Sequence, residues 1–273
     1  MKCLVLGSAG QIGSALCDYL KEKGHEVIEY DIVNSPVTDL RIQGNLDALM
    51  FCADFVFFLA FDVGGSTYLK TYQNTYQFID NNSRLMVNTF DTIKRYNKPF
   101  IFASSQMSNM SFSSYGTLKS LGEFYTKTLG GLVVKFWNVY GVEHDPEKTH
   151  VITDFVKMAL DKGRIRMKTD GNEERQFLYA RDCSEALLTL AEKYDSVPRD
   201  QELHITTFKW INILDIARNI SKLCGNAAIV PGLDKDNVQR GHRNDPDPYI
   251  LSLWKPTTEI EDGLAQIIKH YKS

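Results

Sequence analysis

Short apolar runs alternate with amphipathic segments through the first half of the chain. A continuous apolar run is typical of a strand buried on both faces of a parallel sheet, whereas apolar residues three and four apart are typical of a helix packed on such a sheet. The predicted strands are 2–6, 25–30, 54–60, 99–103 and 132–136, and the predicted helices are 12–23, 45–52, 74–97 and 115–129. Because strands and helices alternate, we predict an α/β fold with a doubly wound parallel sheet.

The second half of the chain is more broken and more polar. The predicted elements are a charged loop at 143–149, strands at 164–168, 175–179 and 202–206, and helices at 151–162, 182–194, 212–223 and from about Thr258 onward. A stretch rich in Gly, Pro and Asp occupies 231–248. This pattern predicts a smaller C-terminal α/β lobe that folds over a ligand cleft.

A glycine-rich turn joins the first strand to the first helix. Its residues are Gly7, Gly10, Gln11, Ile12 and Gly13. Asp31 ends the next strand, about 20 residues on, and this order of strand, turn, helix, strand and acid is typical of a dinucleotide site. We expect backbone N–H groups of the turn to approach a pyrophosphate. Asp31 would bind the adenosine ribose and repel a 2′-phosphate, which favours NAD over NADP. A flexible loop beside a surface Asp is the alternative, but it does not explain why strand, turn, helix, strand and acid follow in this order.

Hydroxyl and amino groups gather after the predicted strand at 99–103. Ser104 and Ser105 end this strand at the sheet edge where open α/β sheets bind ligands, and Tyr115 and Lys119 are one helical turn apart. An ammonium or an oxidised nicotinamide near a phenol lowers its pKa, so the phenol can exchange a proton while a cofactor exchanges a hydride. The spacing Y-x-x-x-K alone is common by chance on helix surfaces, but the Ser-Ser strand end and the glycine turn favour the chemical interpretation.

Composition and charge narrow the class of protein. The 273 residues are 43% hydrophobic and 24% charged, as in an ordinary globular protein. The formal net charge of −3 gives no reason to expect nucleic acid or an anionic membrane as a partner. The longest apolar stretch, 55–61, is too short to span a bilayer, and no signal peptide precedes the first strand. We therefore expect a cytoplasmic protein.

The cysteines agree with a reducing compartment. They are Cys3, Cys17, Cys52, Cys183 and Cys224. Their odd number and scattered spacing argue against a disulfide framework and a zinc site, and we expect buried, inert thiols.

Together these motifs resemble those of the extended short-chain dehydrogenase/reductases, in the branch of nucleotide-sugar epimerases and dehydratases. The matching features are the glycine turn at 7–13, Asp31, Ser104-Ser105, Tyr115-x-x-x-Lys119 followed by Leu-Gly-Glu123, and Asn-Val-Tyr-Gly at 138–141. The resemblance covers essentially the whole chain. We expect an NAD-binding Rossmann domain at 1–141 that is completed by about 176–206, and a substrate-binding lobe made of 142–175 and 207–273.

The resemblance implies a role for each of these residues. Tyr115 would be the general acid/base, and Lys119 would lower its pKa and hold the nicotinamide ribose. Ser105, with Ser104 as the alternative, would bind a sugar hydroxyl. Further cofactor contacts implied by the resemblance are Asp39, Leu40, Leu59, Ala60 and Asn82.

The implied substrate is a nucleoside-diphosphate sugar, held by Asn138 and Arg175. Arg240 and Arg243 are further candidates for the diphosphate, because guanidinium groups bind phosphate bidentately; two solvated arginines in a polar loop are the equal alternative. His150 resembles the His that is a second acid/base in GDP-fucose synthase, whereas a lone His at a helix start is more often a cap or a surface residue.

Three departures from the family pattern restrict the reaction. Gln106 and Met107 occupy the positions of the Asp-Glu pair of dehydratases, which argues against dehydration. Met107 also stands where 3,5-epimerising members carry a Cys, and its thioether cannot exchange a proton. Only nine residues separate Ser105 from Tyr115, so the sugar site is either more open than in relatives or closed by a partner subunit.

We therefore expect an NAD-dependent enzyme that inverts C4 of a nucleoside-diphosphate sugar through a 4-keto intermediate. A reductase or oxidase that transfers hydride in one direction is the alternative enzyme. A dinucleotide-sensing protein without chemistry is the alternative of another class, although such proteins tend to lose the Tyr or the Lys. The apolar faces of the helices predicted at 74–97 and 115–129 imply a homodimer, as the family commonly forms.

Overall fold

A six-stranded parallel sheet forms the centre of the computed structural model, which describes residues 1–236, 238–239 and 244–273. The strands are β1 (Lys2–Leu6), β2 (Glu26–Tyr30), β3 (Phe55–Phe58), β4 (Phe100–Ser105), β5 (Leu132–Phe136), β6 (Asn138–Tyr140), β7 (Arg164–Arg166), β8 (Glu174–Arg175), β9 (Phe177–Tyr179), β10 (Leu203–Ile205), β11 (Ile211–Asn212) and β12 (Ala228–Val230). The helices are α1 (Gln11–Glu22), α2 (Asp47–Cys52), α3 (Ser66–Tyr72), α4 (Tyr76–Tyr96), α5 (Ser114–Thr128), α6 (Val151–Lys162), α7 (Ala180–Glu192), α8 (Ile213–Leu223) and α9 (Ile260–Lys272).

The strand order of the central sheet is β2-β1-β3-β4-β5-β10, and every neighbouring pair is parallel. The chain moves outward from β1 to β2 and then crosses to β3 on the other side of β1. Loops leaving the carboxyl ends of β1 and β3 therefore diverge, which opens the crevice where such sheets bind ligands. The predicted doubly wound Rossmann sheet is confirmed.

Helices cover both faces of this sheet. One apolar cluster packs α1 and α7 on the sheet, with Leu16 and Leu187 fully buried. The other packs α2, α4 and α5, and contains Phe58, Phe90 and Phe102 with ring centroids 5.2–5.5 Å apart. Burial on both faces explains why β3 and β4 are apolar at successive positions rather than alternating.

A third apolar cluster joins α6, α8 and α9 after the chain leaves β5. Short strand pairs, β7 with β12, β8 with β11 and β6 with β9, connect these helices. Between α7 and β11 the chain returns once to the central sheet as β10, where Leu203 pairs with Val134 of β5. The predicted division into two domains stays a prediction.

Several elements differ from the sequence prediction, among them the short strands β6, β11 and β12, which were not predicted. The sequence predicts no helix between residues 61 and 74, but α3 occupies part of this range; only its Leu69 is buried, so it lacks the apolar face that a pattern would reveal. The strand predicted at 175–179 is divided into β8 and β9, which pair in different small sheets. Gln176 separates them: it is fully buried, and its side chain accepts a hydrogen bond from Thr206 (2.9 Å).

The cysteines are unpaired, but they are not all buried as expected. Cys3, Cys17 and Cys183 are buried, whereas Cys52 is exposed at the end of α2 and Cys224 is half-buried. None of the helices in the described ranges has the length and apolar character needed to cross a bilayer.

Candidate active site

One cavity of about 920 Å³ lies at the carboxyl edge of the sheet and brings most of the predicted site residues together. The predicted residues that line it are Gly7, Gly10, Gln11, Ile12, Gly13, Asp31, Asp39, Leu40, Leu59, Ala60, Ser104, Ser105, Tyr115, Lys119, Asn138, His150 and Arg175. Residues of α6, β7 and β9 line its other end. Arg240 and Arg243 lie outside the residues that the structure describes.

The glycine turn is built by close backbone packing. Gly7 has a φ of +87°, and a Cβ there would lie 2.7 Å from the backbone nitrogen of Ala60. A Cβ on Gly13 would overlap the carbonyl oxygen of Gly7. Helix α1 then begins after Gly10 without a side-chain cap, so its first N–H groups remain available to an anion. This cradle fits a pyrophosphate, which is what a dinucleotide presents.

Asp31 is held against the same turn. One carboxylate oxygen accepts a hydrogen bond from the backbone N–H of Ala9 (3.0 Å), and the other accepts from Val33 (3.0 Å). The side chain is half-buried and lines the cavity. A carboxylate fixed beside the anion cradle fits a ribose with free hydroxyls and disfavours a phosphorylated one.

Two residues that were predicted to contact the cofactor bond other parts of the protein. Asp39 pairs with Arg41 (2.8 Å), and the hydrogen bonds from this guanidinium hold the pKa of Asp39 below its usual value. Asn82 was predicted to contact the cofactor, but it is not among the residues that line the cavity. It is fully buried, and its amide bonds the backbone of Asp62 in both directions (2.7 and 3.1 Å) and that of Phe78 (3.0 Å). These bonds make the side chain a brace between α4 and the loop after β3, and its contact with the cofactor stays a prediction.

Tyr115 lies in the first turn of α5, next to the end of β4. Ser113 caps this helix by accepting a hydrogen bond from Gly116 (3.1 Å). Burial raises the pKa of Tyr115 to about 12, although a hydrogen bond with the Ser105 hydroxyl lowers it. The Tyr115 ring packs edge-on against Phe61, with centroids 5.7 Å apart. The phenol is therefore neutral at pH 7 and faces Ser105.

Lys119 lies one turn further along α5, and it is buried. Its ammonium donates to the carbonyl oxygen of Ala103 (2.6 Å) and lies 3.8 Å from the centroid of the Phe61 ring. Burial lowers the pKa of Lys119 to about 7, although Glu123 raises it. Nζ of Lys119 lies 5.8 Å from the centroid of the Tyr115 ring, and burial is the largest influence on the pKa of both groups. That Lys119 lowers the pKa of Tyr115 stays a prediction.

The two serines at the end of β4 have different partners. Ser104 donates to the buried Glu123 carboxylate (2.5 Å). Ser105 accepts from the backbone N–H of Met107 (3.1 Å), and its hydroxyl also bonds Tyr115. Successive side chains on a strand point to opposite faces, so Ser105 is the one that meets the phenol.

The short connection between Ser105 and Tyr115 is packed into the protein. Gln106 and Met107 are buried in one 3-10 turn. Asn244 donates to the backbone and side-chain oxygens of Gln106 (2.8 and 3.1 Å), which fixes the turn against the later part of the chain.

His150 and Glu143 form a pair at the far wall of the cavity. Nδ1 of His150 lies 2.5 Å from one Glu143 oxygen, and the His150 backbone N–H donates to the other (2.9 Å). Burial would raise the pKa of Glu143, but these bonds outweigh it and lower the pKa. Glu143 was not predicted from the sequence, where it is one acid in a charged loop.

The candidate substrate residues present different groups to the cavity. Asn138 Oδ1 is buried and has no hydrogen-bond partner among the described residues, so it can accept a bond from a ligand hydroxyl. Arg175 is already paired with Asp236 (2.5 Å) and donates to the carbonyl oxygen of Glu174 (2.7 Å). The hydrogen bonds and charge of Arg175 lower the pKa of Asp236 despite its burial.

Asp62 is a cavity residue that the sequence analysis missed. Its carboxylate accepts hydrogen bonds from Tyr68 (2.6 Å), Lys148 (3.0 Å) and Asn81 (3.1 Å). These bonds tie the loop after β3 to α3, α4 and the 143–149 segment. An isolated acid in a polar loop gives no sequence signal for such a hub, because its partners are distant in sequence.

Comparison with known proteins places these motifs in a family. The NAD dependent epimerase/dehydratase family matches residues 3–206. Similar proteins include an uncharacterised UDP-glucose epimerase of Bacillus subtilis (23% identity, covering 100% of this chain and 98% of that protein). A UDP-N-acetyl-alpha-D-glucosaminuronate decarboxylase of Bacillus cytotoxicus is also similar (24% identity, 99% and 98% covered).

Solved structures agree with this fold. The UDP-glucose 4-epimerase of Thermotoga maritima, in complex with UDP-glucose, superposes with a TM-score of 0.82 at 20% identity and covers 100% of this chain and 99% of its own. An epimerase of Methanothermobacter thermautotrophicus gives a TM-score of 0.86 at 18% identity, with 99% and 92% covered. The chain belongs to the NAD dependent epimerase/dehydratase family.

Proposed function

We propose that the protein is an NAD-dependent epimerase that inverts C4 of a nucleoside-diphosphate sugar through a 4-keto intermediate. The observation that carries this proposal is the meeting of Tyr115 and Ser105 in the same cavity as an anion cradle and Asp31. Family membership and the UDP-sugar enzymes among the similar proteins support the substrate class.

NAD is the dinucleotide that these residues fit. The glycine turn and the start of α1 would hold the pyrophosphate, and Asp31 the adenosine ribose. Leu59 and Ala60 would lie beside the cofactor, and Lys119 would bind its nicotinamide ribose. When bound, NAD accepts and returns the hydride of the reaction.

Tyr115 is proposed as the general acid/base. Its hydroxyl would take the proton from the C4 hydroxyl of the sugar and later return it, while Ser105 holds the same oxygen. A pKa of about 12 is too high for a base at pH 7. A positive charge beside the ring lowers the pKa of a phenol, so we propose that Tyr115 becomes competent only when the dinucleotide and the charged form of Lys119 are both near it.

Asn138, His150 and Arg175 are proposed to bind the substrate. The unpartnered Oδ1 of Asn138 suits a sugar hydroxyl. Arg175 suits a diphosphate, because several of its N–H groups remain after the bonds to Asp236 and Glu174. His150 presents its second ring nitrogen on the cavity wall, while Glu143 holds the first.

We also propose a homodimer and a cytoplasmic setting. Apolar side chains are exposed side by side on α4 and α5: Tyr76, Ile79, Val87, Leu121 and Phe124. Pairing the two helices with those of a second copy would bury this surface in a four-helix bundle. The unpaired cysteines support a reducing compartment.

The test combines cofactor retention with one substitution. The purified protein should carry NAD and convert UDP-glucose, or another member of a nucleotide-sugar panel, without added cofactor. Tyr115→Phe should abolish turnover and keep NAD, whereas Tyr125→Phe should change neither, because Tyr125 is on the same helix but outside the cavity. Stoichiometric consumption of added NADH or NADPH would instead identify a reductase. Full activity in Tyr115→Phe would refute the assignment of the base.

A further inference from the structure

Trp137 forms part of the cavity wall next to the proposed reacting groups. It directly follows β5, whose last residue, Phe136, pairs with Ser105 of β4. Trp137 lines the cavity and is followed by Asn138. A large aromatic residue of the cavity wall therefore stands in the chain between the strand partner of Ser105 and the proposed sugar-binding residue Asn138.

Two contacts fix the orientation of the Trp137 indole. Its Nε1–H donates to Nδ1 of His204 on β10 (3.0 Å). Its ring packs edge-on against Trp210, with centroids 5.6 Å apart and an interplanar angle of 80°. The hydrogen bond sets the direction of the ring, and the edge-on contact limits its rotation.

His204 can accept the hydrogen bond from Trp137 only when its Nδ1 carries no proton. An indole nitrogen can only donate, so Nδ1 of His204 must be an unprotonated acceptor. The proton of the neutral ring is therefore on Nε2, which donates to Glu202 (2.8 Å). Glu202 in turn accepts from the buried Lys135 (2.7 Å). A second proton on His204 would place two N–H groups against each other at the Trp137 contact.

The surroundings of His204 favour the neutral ring. Its side chain is 3% exposed. The charged groups that act on it are Glu202, Lys135 and Asp247. Burial and Lys135 lower the pKa of His204, whereas Glu202 and Asp247 raise it, and the net direction is downward. At neutral pH the ring is therefore uncharged, and the contact with Trp137 is intact.

We propose that His204 is a positioning residue that fixes the Trp137 indole as a rigid wall for the sugar ring of the substrate. The identity of the ligand rests on the proposed function, but the positioning of the indole does not. A fixed aromatic face suits the C–H-bearing face of a pyranose, and a freely turning indole would lose entropy on binding.

The first test observes the indole directly. In protein labelled with ¹⁵N-tryptophan, Trp137→Phe assigns the indole N–H resonance of Trp137 among those of the three tryptophans. His204→Leu should shift and broaden this resonance, because the acceptor is lost. His204→Asn should keep it near the wild-type position, because an Asn oxygen can replace Nδ1. In wild-type protein the resonance should move as the pH falls from about 7.5 to about 5, and in His204→Asn it should not.

The second test separates substrate positioning from chemistry. With the nucleotide sugar that the enzyme turns over, His204→Leu should raise KM about 10-fold and leave kcat within about 2-fold, the size expected for one lost hydrogen bond. His204→Asn should recover most of the loss. If the enzyme turns over no nucleotide sugar, the proposed function fails while the resonance test still decides the positioning.

Three results would overturn the inference. An unchanged Trp137 resonance in His204→Leu would show that His204 does not hold the indole. A shifted resonance with an unchanged KM would show that the indole does not meet the sugar. Equal losses in the Leu and Asn variants would indicate a general packing defect. If His204→Leu does not fold, the pH titrations of wild type and His204→Asn still decide whether His204 holds the indole.

Discussion

The two ends of the cavity are built in different ways. At the cofactor end, backbone packs against backbone: side chains are excluded at Gly7 and Gly13 because the neighbouring main chain occupies their space. At the substrate end, the basic residues Arg175, His150 and Lys148 each bond an acid. The first end is set before any ligand arrives, whereas a ligand at the second must compete with existing pairs. We therefore expect rigid cofactor retention and adjustable substrate affinity.

The largest effect is expected from Gly13→Ala, which should weaken binding at the cofactor end of the cavity. The new methyl group would overlap the Gly7 carbonyl oxygen, so either the turn or α1 must move away from the pyrophosphate. We expect NAD affinity to fall at least about 100-fold, measured by calorimetry on protein stripped of cofactor. Ser14→Ala is the control, because it changes the next residue of α1 without adding an atom to the turn. Equal losses in both variants would contradict the packing argument.

Ser105→Ala and Ser104→Ala should separate catalysis from stability. Ser105 bonds Tyr115, so its loss should lower kcat about 100-fold. It should also cost about 1 kcal/mol of stability, because the buried Met107 N–H loses its acceptor. Ser104→Ala removes the donor to the buried Glu123 carboxylate and should cost about 1–3 kcal/mol of stability while leaving kcat within a few-fold. Steady-state kinetics and thermal unfolding of both variants measure these effects. A large loss of kcat in Ser104→Ala but not in Ser105→Ala would identify Ser104 as the reacting hydroxyl.

Asp236→Asn tests whether an acid at the substrate end competes with the ligand for its basic partner. Because Asp236 competes with a diphosphate for Arg175, its neutralisation should tighten UDP binding about 3–10-fold, measured by calorimetry. Asp234→Asn removes the same charge from the same loop without touching that pair, and it should have a smaller effect. Weaker binding in Asp236→Asn would mean that the acid orients Arg175 rather than competing for it.

The pair of His150 and Glu143 should give the smallest effect, seen as a pH dependence. The folded-state pKa of Glu143 is lowered, so its stabilisation is complete above the unfolded value of about 4.3 and is lost as the pH falls through the folded value. Glu143→Gln should cost on the order of 1 kcal/mol at neutral pH. The difference from wild type should shrink as the pH falls below the unfolded value of about 4.3, and it should vanish once the pH is below the lowered folded pKa. Thermal unfolding against pH measures this, with the exposed Glu147→Gln as a control that should show no such convergence.

The same contrast explains what could be predicted from the sequence. The glycine turn, Asp31 and the strand ending in Ser105 depend on local spacing, and the structure brings them together as predicted. The acids paired with Arg175 and His150 could not be predicted, because those pairs arise only when loops distant along the chain meet. Asn82 is a case in which the motif did not reveal the packing. Its position in the family motif suggested a cofactor contact, whereas in the structure its amide bonds the backbone of Asp62 and Phe78.

The late arrival of β10 has a consequence for how the molecule is made. This strand covers the edge of β5, but it is synthesised only after α6 and α7. Until then, the N–H and C=O groups along Val134 and Phe136 are an open template for pairing with another chain. A fragment ending near residue 141 should therefore aggregate, and during synthesis the nascent chain must wait for residues 203–205 before its sheet edge is closed.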